Sequence, residues 1–137
     1  MSIDSRELAT KLKSMAEASY HVLVDVARSP SIDGFPFAHQ TLWDIGETLR
    51  RFTAHALAAP APEVQLTMHV EPDHAWAVDL HEAAEHLNWV AGGLRTALIE
   101  AVQHADEEEW AWAAHQMLLE ATWALTQLEC VHAKGEP

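Results

Sequence analysis

Only one cysteine, Cys130, occurs in the 137 residues. No intrachain disulfide can form, and a reducing cytoplasm is the simplest compartment. Bases are scarce as well: eight Lys and Arg stand against twenty-one Asp and Glu, for a formal net charge of −13. A chain so short of positive charge lacks the footprint of a direct nucleic-acid binder and is repelled by anionic membrane. No run approaches the ~18 apolar residues that span a bilayer. The start, Met1-Ser2-Ile3-Asp4-Ser5-Arg6, has no basic region followed by an apolar stretch, so no secretory signal is expected. A glycine-rich phosphate loop, a Gly-x-Ser-x-Gly elbow and a cysteine beside a plausible base are all missing. An enzyme is therefore not expected, nor a cofactor.

What is present reads as helix. The length suits one domain with a core of its own, spanning 1–137. Leu8, Leu12, Met15, Ser19, Val22 and Val26 alternate spacings of four and three, the stripe of a helix over about 4–28, with Asp4 and Glu7 as a capping pair. Ala38, Leu42, Ile45, Leu49, Phe52 and Ala56 repeat the stripe over about 36–58, where Pro36 suits the first turn. A third stripe, Leu80, Ala84, Leu87, Ala91, Leu94, Leu98 and Ala101, predicts a helix over about 73–103. Its Gly92-Gly93 calls for a close crossing or a kink. Ala111, Ala114, Leu118, Ala121, Leu125 and Leu128 mark a fourth helix over about 107–131, capped by Asp106 and Glu109 and ending before Gly135. Between the second and third helices, Val64, Leu66, Met68 and Val70 alternate with polar residues, which predicts a short strand in the linker 59–72.

The helices repeat in pairs. Ala38-His39-Gln40-Thr41-Leu42 matches Ala114-His115-Gln116-Met117-Leu118 at an offset of 76. At an offset of 75, Leu12 meets Leu87, Ala16 meets Ala91 and Leu23 meets Leu98. The expected fold is an all-α four-helix bundle made of two repeated helical hairpins, about 4–58 and about 73–132, each covering the other's apolar face. The stretch from Gln65 to Val131, through Leu66-Thr67-Met68-His69-Val70 and Trp112-Ala113-Ala114-His115, resembles short uncharacterised bacterial proteins of one strand and a helical hairpin. The resemblance covers about half of the chain and implies no function.

Charge and tryptophan are unevenly placed. Residues 63–137 hold fourteen acids and only Arg95 and Lys134, whereas the first 62 are nearly balanced. This second half favours a protein partner with a basic surface. On the wheel of the fourth helix, Trp112, Leu119 and Trp123 fall on a second apolar stripe away from the core, whereas Trp43, Trp76, Trp89 and Trp110 can be placed at core edges. Trp112, Leu119 and Trp123, with the acids Glu107, Glu108 and Glu120, are the expected partner-binding residues. Glu107 and Glu108 also suit the helix dipole on their own account. In composition the chain is similar to small acidic phage-type inhibitors that present carboxylates where phosphates would lie. Among ten histidines, His81 and His86 are five apart and point about 140° from each other, so they cannot share a metal as a zinc-protease pair does. His39 and His115, equivalent by the repeat, are the candidate pair for the alternative reading, a bundle that binds a small ligand or a metal; no bound metal is expected. The unpaired strand at 64–70 suggests a homodimer, since its backbone lacks a ladder partner within the chain.

Overall fold

The computed structural model describes residues 3–57 and 79–135. Four helices form a bundle: α1 Ile3–Arg28, α2 Gly34–Leu57, α3 Leu80–Gln103 and α4 Glu108–Gly135. No strand occurs among the described residues. The expected strand at 64–70, and the dimer argued from it, lie outside them, as does Trp76. No described helix is long and apolar enough to cross a membrane.

The helix ends differ from expectation in instructive ways. Helix α1 starts at Ile3, so Asp4 belongs to its first turn instead of capping it. Helix α2 begins at Gly34, two residues early, because Ser31 receives the Gly34 N–H on both its hydroxyl and its carbonyl, each at 3.1 Å. Among the described residues α3 begins only after Asp79, an extended N-cap whose carboxylate accepts the Glu82 N–H at 2.8 Å. That Asp-x-x-Glu start lies inside the expected helix and went unread. Glu107, not Asp106, stands immediately before α4, and its carboxylate takes the Trp110 indole N–H at 2.7 Å. At its other end α4 continues through Gly135, with His132 and Lys134 in a last turn where the dipole favours positive charge.

Each helix packs chiefly on two others. Helix α1 packs on α2 and α3, and α4 packs on α3 and α2; the α2–α4 contact is the thinnest of the four. Phe35 meets His132, His39 meets Glu129 and Thr53 meets His115, so α2 and α4 run antiparallel. Glu17 and Tyr20 meet Arg95 while Val24 to Arg28 lie beside His81 to Asn88, so α1 and α3 are antiparallel too. The two hairpin loops therefore sit at opposite ends. Most of each stripe read from the sequence is core, with Leu12, Ile45, Leu49, Leu87, Leu94, Leu98, Leu118, Leu125 and Leu128 fully buried; Leu80 is exposed instead, Leu8, Met15, Val22, Ala56 and Ala84 are partly buried, and Leu23, outside the stripe of α1, is fully buried. Gly93 has a packing reason, since a Cβ there would stand 2.7 Å from Met117 Cε, whereas one on Gly92 would meet nothing.

Candidate functional site

Two places hold the predicted residues. The first is the α2–α4 seam. Its buried polar residues are mostly satisfied within their own helices: Thr53 donates to the Leu49 carbonyl at 2.8 Å, Thr122 to Leu118 at 3.0 Å and Thr126 to Thr122 at 2.9 Å. Histidines make the side-chain contacts across it. His39 Nε2 lies 3.0 Å from Glu129 Oε1, half-exposed. His115 is 2% exposed, with Nε2 3.5 Å from Thr53 Oγ1. The Thr53 proton is committed to Leu49, so Thr53 accepts from His115, which puts the imidazole proton on Nε2. Nδ1 is left as a buried lone pair with no partner, alone in this among the described residues. Burial, and to a lesser degree the Arg50 charge, lowers the His115 pKa to about 4 from 6.5.

The structure does not bring His39 and His115 together. His39 is level with Glu129, and His115 comes fourteen residues before Glu129 on α4, about 21 Å along the helix at its standard rise. They cannot share a small ligand. The spacing Glu129-x-x-His132, next to His39, also went unread in the sequence, although it is one a metal site can use. Even so, no group of three or more His, Cys, Asp or Glu that could hold a metal ion occurs among the described residues. His81 pairs with Glu85 at 3.1 Å on the surface. Cys130 is buried.

The second place is a groove between α3 and α4, of about 570 Å³, lined by His86, Trp89, Gln116, Leu119, Glu120 and Trp123. Three of the six expected partner-binding residues meet here: Leu119, Glu120 and Trp123. The other three, Glu107, Glu108 and Trp112, lie together in a separate shallow depression at the start of α4. There the Trp112 indole donates to Glu108 at 3.1 Å. Spacings of four and three along Trp112, Gln116, Leu119 and Trp123 place both on one side of α4. Trp112 is 52% exposed, as its position on the wheel requires, and Leu119 and Trp123 are half-buried.

Helix α3 supplies what sequence reasoning missed. Trp89 is 71% exposed, not at a core edge, and its ring stacks near His86 with centroids 6.4 Å apart. Its neighbour Val90 is fully buried, and that one-residue step turns Trp89 outward. Leu87, Val90, Ala91 and Leu94 define the inner face, so a wheel centred on them would have found it. Trp43 is likewise exposed, whereas Trp110 is half-buried and stacks on His104 at 4.5 Å.

No protein-family model matches the sequence, and neither a curated protein nor a solved structure is found similar to it, so whatever is said of its function rests on this geometry.

Proposed function

We propose that the chain is a duplicated helical hairpin that works as a non-enzymatic protein-interaction module, docking its acidic second half on a basic partner surface. The observation that carries this reading is the α3–α4 groove: a tryptophan-walled trough, open to solvent, on the half of the molecule where acids dominate. Among the described residues α3 and α4 hold seven acids and two bases, and Arg95 is already engaged with Glu17 and Tyr20. Aromatic anchors within a charged rim are the usual anatomy of a protein-binding patch. The sharpest form of the proposal is an inhibitor that covers a nucleic-acid-binding surface, its carboxylates standing in for phosphates.

The duplication is supported by more than the stripes. His39 reaches Glu129 and His115 reaches Thr53. At the offset of 76 those two contacts are images of each other, His39 for His115 and Thr53 for Glu129. A ligand-binding bundle built on the two histidines has no such support, because each is turned to a different neighbour. The experiment is a titration against basic, neutral and acidic peptides over rising salt. Binding confined to basic peptides and fading with ionic strength is the expected outcome, since exposed charges are screened over about 10 Å at 0.1 M salt. Equal binding of acidic and basic peptides overturns it.

A further inference from the structure

The molecule already shows how it holds an arginine. At the α1–α3 contact the Arg95 guanidinium carbon sits 3.9 Å from the Tyr20 ring centroid. Its Nη1 is 3.7 Å from a Glu17 carboxylate oxygen. An aromatic face and a carboxylate, contributed by one helix, hold a guanidinium contributed by another. The α3–α4 groove presents the same two kinds of group, Trp89 and Trp123 as aromatic walls and Glu120 as carboxylate, and among the described residues no lysine or arginine lines it. We propose that this groove receives an arginine side chain of a basic polypeptide, its guanidinium against tryptophan and paired with Glu120. The inference rests on the interaction-module reading and names the residue by which the partner is gripped.

Three arguments select that occupant. An aliphatic anchor would shade Glu120 from water without giving it a counter-charge, which is unfavourable. A lysine ammonium is a compact, strongly hydrated charge, whereas a guanidinium lies flat on an indole and can fork onto a carboxylate at once. A free small cation is a poor fit, because the groove is open to solvent and would leave most of such a ligand wet. A polypeptide gains further contacts. Glu82, seven residues before Trp89 and so on the same side of α3, is exposed. Glu108, exposed beside Trp112, lies farther along α4. Bases flanking the anchor arginine have carboxylates to meet in both directions.

The test uses the full chain and a labelled amphipathic peptide of leucine and arginine, with two variants in which every arginine becomes lysine or the neutral isostere citrulline. Binding is read by fluorescence anisotropy. The arginine peptide should bind most tightly, the lysine peptide several-fold more weakly, and the citrulline peptide not measurably. W89A and E120Q should each weaken the arginine peptide about fivefold, the scale of an exposed cation–π or charge-assisted contact. W43A, on the other hairpin, should leave binding unchanged. Trp89 and Glu120 are exposed, so both variants should melt with the wild type. Equal affinity for arginine and lysine peptides overturns the stacking assignment. Salt-sensitive binding of the arginine peptide that W89A and E120Q do not alter moves the site off the groove while leaving the module reading intact. No binding of any basic peptide at low salt sinks both. A clear drop in the W89A melting temperature would show the groove already filled by this chain or a second copy, and would overturn the proposal.

Discussion

Acid should weaken this fold through one residue, His115. In the folded chain its pKa is lowered to about 4 from 6.5, chiefly by burial. A base whose folded pKa is depressed is protonated first in the unfolded chain. Its stabilising contribution is therefore complete above pH 6.5, is lost as pH falls from there toward 4, and changes no further below 4. A gap of about 2.5 pH units amounts to about 3 kcal/mol when both titrations are complete. At pH 5 about 2 kcal/mol of that is already gone. The cause is geometric: Nδ1 is buried without a partner, so a proton placed there would meet no acceptor, and Arg50 adds like-charge repulsion. Other groups also titrate in this range, and discharging carboxylates relieves the self-repulsion of a chain at −13. The measurement is thus a difference of differences. Urea unfolding is followed at pH 7.5 and 5.0 for the wild type and for H115L, which keeps an apolar side chain in the seam. Thr53 retains its bond to Leu49 in the variant. Wild type should lose about 2 kcal/mol more than H115L on acidification. H115L should be no less stable at pH 7.5, since an unsatisfied polar atom has been removed. Parallel pH dependences of the two proteins would refute the argument.

Other perturbations separate the helix-level claims. G92A should stabilise by about 0.5–1 kcal/mol in urea, because its Cβ meets open space and alanine is the better helix former. G93A should gain less than G92A, because its Cβ must displace the Met117 methyl. D79A should cost about 1 kcal/mol by loss of the only side-chain cap described for α3, despite its exposure. L94A should cost about 2–5 kcal/mol, the range for emptying a fully buried leucine site. D79A without effect would mean that α3 starts elsewhere in solution.

How much of this was legible depended on which helix face carried the information. Inward faces were readable, because burial acts on every third or fourth residue and leaves a stripe that survives local exceptions. Helix ends were less so. Several acids stand where α4 begins, and the carboxylate of Glu107 is taken by the Trp110 indole, a contact that no spacing rule contains. The start of α3 was obscured by Asp73, Ala75 and Ala77, which are compatible with helix in sequence. On the outward faces, periodicity says only that a residue is not core. Wheel position therefore found Trp112, Leu119 and Trp123. It could not tell that α3 would bring Trp89 and His86 beside Leu119 and Trp123 and not beside Trp112, because the register between two helices is set by packing across them. The pairing of His39 and His115 failed for the same reason: equivalence in a repeat fixes where each residue sits on its own hairpin, not which residue faces it.

The two hairpins differ at the proposed docking groove. At the offsets of 75 and 76, the groove residues His86, Trp89, Gln116, Leu119, Glu120 and Trp123 correspond to Lys11, Ser14, Gln40, Trp43, Asp44 and Glu47. Polar character is kept at three of these six positions, and in the first hairpin Gln40 donates to Asp44 at 3.0 Å. The changes are directional. The first hairpin has Lys11 where the second has His86, and it lacks both tryptophan walls. Burial gives no reason for the difference, since Lys11, Ser14 and Trp89 are all exposed. At buried positions some pairs are identical, Leu12 with Leu87, Leu42 with Leu118 and Leu49 with Leu125, whereas others differ, Ile45 with Ala121 and Phe52 with Leu128. The contrast between the hairpins is one of charge: ten acids stand against two bases over 79–135, and seven against six over 3–57, which suits the proposed docking of the second hairpin on a basic surface.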